Sequence, residues 1–590
     1  MPPEQASRRA GRPGDACERS RRAARTRLAF LTAATCSLAP DAFAQLAGGG
    51  LTDSGLIGAN GSLRDTVGSL LSSQPTVNTG LPWIFSGDVD VEVGATDSAG
   101  STGGGWQPLI LISPDLNLTG VTSRLNVALS YSPRLAYYPS SASQTLFSNT
   151  FNGTATATVV PDLLFLNLRG LTTLSSRFGS TSLLSNSFIS NNEAVQTSSF
   201  SATPYLMRTF GGWGTLTAGY TYGRTFQSGN SQLAPVFFAP NGVNTGFGGN
   251  TGFGSNTGFG SNTAGFGTIG DLETNTEFAT FSTGENLGRV QDSVAVTATQ
   301  NSGSAFYQGS STFSATNTVS YALYRWLTLL ASVGYEEYNY PQSGYRLSEP
   351  TWAIGATLTP NADSSITVQY GRTAGSTTII VNGSYAPTAR TRIYGGYNVG
   401  IQTGLGAQQS LLATTTVGPG GLLINRVNGT PVLANSYLAS QYSLSRVKTL
   451  TVGGILLLDR DTFSASFSRS QVTQLVGSTD VFGISTNAGT STVSIYGTLA
   501  WQHDLSPSNS LYSSVSYATG NTGVYFGNPG GSQDTFQLYT GLNHIFTDTL
   551  TGRVSYSHAE RFGGAVRNLP TGFGGTASQN VVLVGLRKSF

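Results

Sequence analysis

The stretch from residue 124 to residue 137, RLNVALSYSPRLAY, decides the fold class. Its alternate positions carry large apolar or aromatic side chains, namely Leu125, Val127, Leu129, Tyr131, Leu135 and Tyr137. The positions between them are polar or small. Successive side chains of a β-strand point to opposite faces, so this stretch predicts a strand with one apolar and one polar face. Strands of soluble sheets average ~5–6 residues, whereas a tilted strand needs ~9–11 to cross a membrane. The length favours the membrane.

The same alternation recurs in pairs of runs that flank short turns. Residues 352–358 and 366–370 flank the turn at 360–363, and residues 447–458 and 463–467 flank the turn at 459–461. No run of 18 apolar residues follows residue 45, which excludes membrane-spanning helices. Short connections alternate with long ones, and the long ones are predicted at 139–142, 179–192, 228–271, 341–349, 403–442, 474–487, 522–531 and 562–576.

Alternation of short and long connections is typical of a barrel whose strands run up and down. We therefore predict an all-β transmembrane up-and-down antiparallel barrel of about 22 strands, within a range of 18–24, over residues 85–590. The count depends most on residues 272–302 and on the connection at 375–376, where the alternation is weakest. Trp106, Trp213, Trp326 and Trp352 are expected at strand ends, where their rings suit a membrane–water interface.

Composition agrees with a surface that faces lipid. Charged residues make up 10% of the chain, against about 25% in soluble domains. Glycine accounts for 75 residues, and there are 30 Phe and 25 Tyr. A soluble surface needs charge, whereas a lipid-facing surface avoids it. The aromatic content also argues against a chain that is disordered throughout.

The first 44 residues have the features of a signal peptide that is cleaved after Ala44. Eight arginines precede the apolar run 28–34, and Ala42-Phe43-Ala44 provides a cleavage site. The apolar run is too short to span a bilayer. The leader holds eight of the 31 basic and four of the 29 acidic residues, so 23 basic and 25 acidic residues remain. The mature chain therefore has no basic excess, and we expect no nucleic-acid partner.

The leader also contains both cysteines, Cys17 and Cys36. The mature chain is thus predicted to lack disulfides and thiolate metal sites. Residues 45–84 form a short periplasmic segment of 40 residues, too few for the plug domain of an energised transporter. Residues 244–267 repeat a Gly/Phe/Asn motif within the loop 228–271, which is predicted to be external.

The last strand predicts an assembly signal. Val582, Val584, Leu586 and the terminal Phe590 alternate onto one face. A final amphipathic strand that ends in Phe resembles the signal by which the outer-membrane assembly machinery recognises its barrels. Lys588 departs from that pattern. Expected partners are therefore this machinery, outer-membrane lipid and lipopolysaccharide.

No catalytic, cofactor or metal site is predicted. The hairpin about residues 547–548 places His544 near Gly552. His558 lies at the far end of the strand that contains Gly552, and His503 lies beside another turn. No two histidines should meet, which argues against a triad and against a metal-binding pair. Charges opposite apolar faces are candidates for the lumen wall, namely Arg124, Arg134, Arg390, Arg392 and Asp90. They either line a solute path or are simply tolerated there, since lipid would cost a midplane Arg ~2–4 kcal/mol.

Several stretches resemble one known family. They are 112–116 (ISPDL), 124–131, 160–166 (VPDLLFL), Tyr335-Glu336, Trp352 to Pro360 and 458–462 (LDRDT). Through these stretches, most of the region 85–590 resembles the outer-membrane barrels associated with PEP-CTERM/exosortase and exopolysaccharide systems. The Gly-Phe repeats depart from that family. The resemblance implies an outer-membrane location and a link to polysaccharide, while the family itself has no established activity.

Two functions follow. The first is a passive outer-membrane channel or conduit linked to envelope or exopolysaccharide export, with loops 228–271 and 403–442 as occluders, because a barrel of this width needs inward loops or a plug. The second is a structural or surface-interaction barrel that displays its loops without transport.

Overall fold

A computed structural model describes the barrel from Trp83 to Phe590, with gaps between strands. The described ranges are 83–97, 105–139, 146–176, 194–229, 271–303, 307–407, 409, 415–417, 423–425, 444–476, 478–479, 485–486, 488–489, 491–521, 532–562 and 577–590. The predicted leader, the segment up to residue 82 and the Gly/Phe repeats lie outside these ranges.

Twenty-two long strands form the wall. The first eleven are β1 Trp83–Thr96, β2 Gln107–Val121, β3 Leu125–Tyr137, β4 Leu146–Val160, β5 Leu164–Ser176, β6 Ala194–Thr209, β7 Gly214–Gly229, β8 Asp271–Thr283, β9 Val290–Gly303, β10 Ser311–Tyr324 and β11 Leu327–Tyr340. The others are β12 Tyr345–Leu358, β13 Ser365–Thr373, β14 Ser376–Thr388, β15 Thr391–Gln402, β16 Ser445–Leu457, β17 Asp461–Gln474, β18 Ser491–Ser506, β19 Asn509–Asn521, β20 Ser532–Thr547, β21 Leu550–Phe562 and β22 Ala577–Ser589.

The sheet closes on itself. Each strand pairs antiparallel with the next, and β22 pairs with β1, so all 22 strands belong to one sheet. The closing pair continues to the chain end, where Gly87 and Phe590 exchange both backbone hydrogen bonds, at 3.2 and 2.9 Å. Closure leaves no strand edge with unpaired backbone groups, which a membrane does not tolerate. The predicted fold, an antiparallel up-and-down barrel of about 22 strands, is confirmed.

Short and long connections alternate as predicted. The short connections Arg325-Trp326, Pro507-Ser508 and Asp548-Thr549 lie at one end of the barrel. We call this end the short-turn rim and the other the long-loop rim. At the long-loop rim the connection between β13 and β14 has only two residues, Ala374 and Gly375. Both have positive φ, at 51° and 70°, which is the geometry of the tightest hairpin turns.

Side-chain alternation separates lipid from lumen. Outward positions include Val91, Val93, Ile354, Leu499 and Val554, which are 41–59% exposed. A closed barrel of this kind carries such an apolar band around its middle. Inward positions are mostly hydroxyl and amide side chains. The polar face in the sequence alternation is therefore the face that lines the lumen.

Minor elements sit outside the wall. Three 3₁₀ turns cover Gly211–Trp213, Glu285–Leu287 and Pro341–Ser343. Two short hairpins pair Thr415–Val417 with Leu423–Asn425 and Ser478–Thr479 with Ser485–Thr486. Among the described residues, no helix has both the length and the hydropathy that a membrane span requires.

One aromatic expectation is wrong. Trp352 is the eighth of 14 residues in β12, not a strand-end residue. The sequence alternation assigned residues 345–349 to a loop, but they pair with β11 through Tyr340↔Tyr345 and Glu336↔Glu349. Backbone pairing with a neighbour extends β12 where its own alternation is weak. Trp213 and Trp326 do lie at turns, in the 3₁₀ turn before β7 and between β10 and β11.

Candidate functional site: the barrel lumen

The lumen wall from β17 to β21 is polar but uncharged over most of its surface. Its inward side chains are largely hydroxyls and amides, each 1–8% exposed, namely Thr462, Ser464, Ser466, Ser468, Ser470, Thr492, Thr498, Gln502, Ser514, Ser516, Thr535, Gln537, Ser555 and Ser557. Elsewhere on the wall, hydroxyls of neighbouring strands bond to each other, such as Ser199 with Thr225 at 2.8 Å and Thr276 with Thr299 at 2.9 Å. This part of the wall therefore offers hydroxyl and amide groups, rather than charges, to whatever fills the lumen against it.

Inward charges concentrate where the barrel closes. Asp88 of β1 accepts a hydrogen bond from Nη2 of Arg587 on β22 at 2.7 Å, and its side chain is almost fully buried. Arg553 of β21 lies 3.6 Å from Asp90 and 3.8 Å from Glu92, reaching across β22. We call these five residues the closure cluster. Because the partners come from opposite ends of the chain, the cluster reinforces the closing strand pair.

The long-loop end of the closing pair has its own bonds. Gln579 Nε2 donates to Thr96 Oγ1 at 3.1 Å, and the Asn580 backbone N–H donates to Asp97 Oδ1 at 2.6 Å. The closing strands are therefore tied by side chains at both rims as well as by their backbone ladder. These contacts rigidify the wall and do not open it.

The predicted lumen-lining charges divide into two groups. Arg134, Arg392 and Asp90 lie on inward faces of β3, β15 and β1. Arg124 and Arg390 lie instead in short turns, where both are exposed, and Arg390 Nη1 pairs with Asp459 Oδ1 at 2.9 Å. Each of the two arginines directly precedes its strand and continues the polar side of the alternation by one residue. The sequence pattern alone therefore assigned it to the wall.

A second acidic pair lies near the long-loop rim. Glu336 and Glu349 are direct cross-strand neighbours on β11 and β12, and both are buried. Glu349 is well satisfied, since Arg372 donates to it from Nε and Nη2 at 3.0 and 2.6 Å, and the Gly375 N–H donates at 2.7 Å. The pair thus ties the β13–β14 turn to the wall. Its role in the described structure is to hold that turn.

Residues 403–409 enter the lumen. Thr403 caps a helical turn over 404–407, with its Oγ1 accepting from the Gly406 N–H at 3.0 Å and its carbonyl from the Ala407 N–H at 2.9 Å. A threonine at this position satisfies backbone donors at a helix start. We call residues 403–409 the lumen segment, because its side chains meet inward faces of distant strands.

Three contacts fix the lumen segment. Leu405 packs with Leu272 of β8 and with Tyr307. Ala407 packs with Val447 of β16 and Val472 of β17. A third contact is made by Gln409, whose Oε1 accepts a hydrogen bond from Thr225 Oγ1 of β7. Further along the chain, Thr415–Val417 lies against β3 and β4. The described residues of the loop after β15 therefore contact sectors of the wall that are far apart in sequence.

The histidines occupy separate environments. His503 Nδ1 lies 2.9 Å from Asp461 Oδ1, His544 Nδ1 lies 2.8 Å from Asn509 Oδ1, and His558 Nδ1 lies 2.8 Å from Asn580 Oδ1. His544 pairs with Gly552 across the hairpin, as predicted. Within the described ranges, no group of three or more His, Cys, Asp or Glu side chains is arranged to hold a metal ion.

Comparison with known proteins gives only remote likenesses to solved structures. No family model and no curated protein matches the chain. Among solved structures, the chain is similar to the ferric-catecholate import receptor Fiu of Escherichia coli K12, with 10% identity, a TM-score of 0.43 and coverage of 88% of this chain and 82% of that one. A variant of the ferric enterobactin receptor PfeA of Pseudomonas aeruginosa gives 10%, 0.39, 86% and 80%. The iron transporter FrpB of Neisseria meningitidis gives 10%, 0.39, 88% and 83%.

These likenesses carry no argument here, because the identities and TM-scores are low. The lumen segment was missed by residue-level reasoning, although the loop that contains it was predicted as an occluder. The sequence carried no signal specific to Leu405 and Ala407, because the same connection has longer apolar runs at 411–413 and 422–424. An apolar run in a loop needs a surface to pack on, and here the inward faces of β8, β16 and β17 provide it.

Proposed function

We propose that this chain is an outer-membrane barrel that acts as a restricted passive conduit for polar solutes. The observation that carries the proposal is the lumen segment, which lies across a hydroxyl-lined interior and is held there by packing and one side-chain hydrogen bond. A wide barrel with such an inward loop passes only what the loop leaves room for. The outer-membrane location is supported by a closed barrel with an apolar band.

The solute class follows from the wall. Serine, threonine and amide side chains bond hydroxyl-bearing molecules and exert no strong field on ions. We therefore propose neutral polar solutes such as saccharides. The link to exopolysaccharide systems stays a prediction from the family resemblance. Recognition of the terminal strand ending in Phe590 by the assembly machinery also stays a prediction, and the structure supports it by placing Val582, Val584, Leu586 and Phe590 outward, 40–67% exposed.

Single-channel recording in planar bilayers tests the conduit. The double variant Leu405→Asn, Ala407→Asn replaces both apolar anchors by neutral polar side chains, so lumen charge is unchanged. We expect step conductance to rise by about twofold or more, because a barrel's opening is set by what fills it. Thr535→Asn is the matched control, since it places the same side chain on the inward face of β20, outside the lumen segment's three contacts.

An equal conductance in wild type and double variant would remove the lumen segment from the passage. Silence in all three proteins would favour the second function, a closed barrel that displays its loops. Swelling of vesicles in iso-osmotic sugars then separates a saccharide conduit from an ion pore. A variant that conducts ions but admits no sugar would contradict the proposed solute class.

A further inference from the structure

The outward face of β8 is unusual for a lipid-facing surface. Its outward positions from the long-loop rim are Asp271, Glu273, Asn275 and Glu277, followed by Ala279 and Phe281. Glu277 is the seventh of 13 residues in the strand, and its side chain is exposed. Its cross-strand neighbours are Tyr220 and Ala298. A carboxylate therefore stands at mid-strand in the apolar band.

A cation occupies a comparable position on β17. Arg469 is the ninth of 14 residues, and it is exposed on the same face as Phe467. Its cross-strand neighbours, Leu450 and Ile495, are apolar. Counted from the short-turn rim, Glu277 is the seventh residue of its strand and Arg469 the ninth. At ~3.3 Å per residue, the two lie within about 7 Å of the same depth.

Several other outward charges have partners. Arg224 pairs with Asp271 at 2.9 Å and Glu337 with Arg346 at 3.1 Å, and Asp461 lies 2.9 Å from His503. Glu277 and Arg469 have neither an ion pair nor a side-chain hydrogen bond to any residue within the described ranges. A lipid-facing charge at this depth costs free energy. Arginine can extend toward the headgroups, whereas the shorter Glu277 cannot.

The two charges cannot meet within one molecule. β8 and β17 are nine positions apart in a ring of 22 strands, so their outward faces point to nearly opposite sides. They can meet only between molecules. We propose that the outward face of β8 in one copy of this chain binds the outward face of β17 in the next copy, with Glu277 paired to Arg469. The inference needs only that the barrel stands in a membrane, and it is independent of the conduit.

The contact joins different surfaces of the two copies. A head-to-tail contact whose two faces lie on nearly opposite sides does not close as a two-fold dimer, and it extends into rows. Lys448, on the outward face of β16, is the cross-strand neighbour of Gln471 on β17 and therefore lies beside this contact. On β8, Glu273 lies four residues beyond Glu277 on the same face, toward the long-loop rim. The neighbouring charges thus have the same complementarity as the central pair.

Charge exchange tests the contact. Two populations of the full-length mature barrel, labelled with a donor and an acceptor dye, are mixed in phospholipid vesicles, and energy transfer reports association. We expect Glu277→Arg alone and Arg469→Glu alone to weaken association by about tenfold, the scale of one desolvated charge pair. The double variant, which restores an opposite pair, should return to near the wild-type value. Glu337→Arg, on the outward face of β11, is the control and should associate as wild type.

Neutral variants guard against failed folding. Glu277→Gln and Arg469→Gln remove charge from the lipid face, so they should insert at least as well as wild type and still associate less. Association unchanged in the single variants, or not restored in the double variant, would overturn the proposal. Loss with Arg469→Glu alone, dependent on added lipopolysaccharide, would also overturn it and assign Arg469 to an anionic glycolipid instead.

Discussion

The closing strands and β8 distribute charge in opposite ways. Around β1 and β22 the charges of the closure cluster point inward, where Asp88, Glu92 and Arg587 are paired and largely buried, and the middle of the outward face is apolar. On β8 the charges point outward, and the inward face carries Leu272 against the lumen segment. Both regions alternate with the same period of two. The difference shows that the polarity of a strand face does not by itself identify the side that meets lipid. The register with neighbouring strands identifies it.

The largest expected effect is at the closing strands. Arg587→Ala leaves the buried Asp88 carboxylate without its cation, and we expect the free energy of unfolding to fall by about 3–5 kcal/mol. Urea unfolding in lipid vesicles measures it. Lys588→Ala is the matched control on the same strand end, because the exposed Lys588 faces outward and donates only to Thr549. Equal losses in the two variants would mean that the closure cluster adds nothing beyond the backbone ladder.

A lysine placed in the apolar band should distinguish the two regions next. Val584 is the eighth of 13 residues in β22 and pairs with Val93 and Val554, all on the outward face. We expect Val584→Lys to lower the free energy of unfolding by about 2–4 kcal/mol. Glu277→Lys puts the same side chain at mid-strand on β8, but it replaces one charge by another, so its loss should be about 1 kcal/mol or less. Comparable losses in urea titrations would show that the Glu277 carboxylate does not already carry the cost of a charge in the apolar band.

The smallest effect is expected at the short-turn rim, where charge meets water. Arg390 and Asp459 form an ion pair whose side chains are 62% and 86% exposed. We expect Arg390→Ala to change the free energy of unfolding by no more than about 0.5 kcal/mol, since water and salt screen such pairs. Asp459→Asn should give the same small change, and the double variant should add nothing. A loss above 1 kcal/mol in thermal unfolding would refute a purely screened pair.

The sequence predicted the parts of this fold that are set by local periodicity. The alternation in residues 124–137 gave β3, and the alternation of short and long connections gave about 22 strands. It was weakest at 272–302 because β8 carries charge on its lipid-facing side. The sequence alternation also assigned Arg124 and Arg390 to the lumen wall, although both lie in turns, because a turn residue next to a strand can continue the polar alternation of that strand.

By itself, the sequence determined a closed antiparallel barrel and the short-turn side, since both depend only on side-chain period and connection length. Only the tertiary structure decided what meets across the ring: Asp88 with Arg587, Leu405 with Leu272, and the lone positions of Glu277 and Arg469. The physical reason is that period and length are local properties of the chain. Which side chains become neighbours depends on register and closure, which bring together residues such as Asp88 and Arg587, 499 positions apart in the chain.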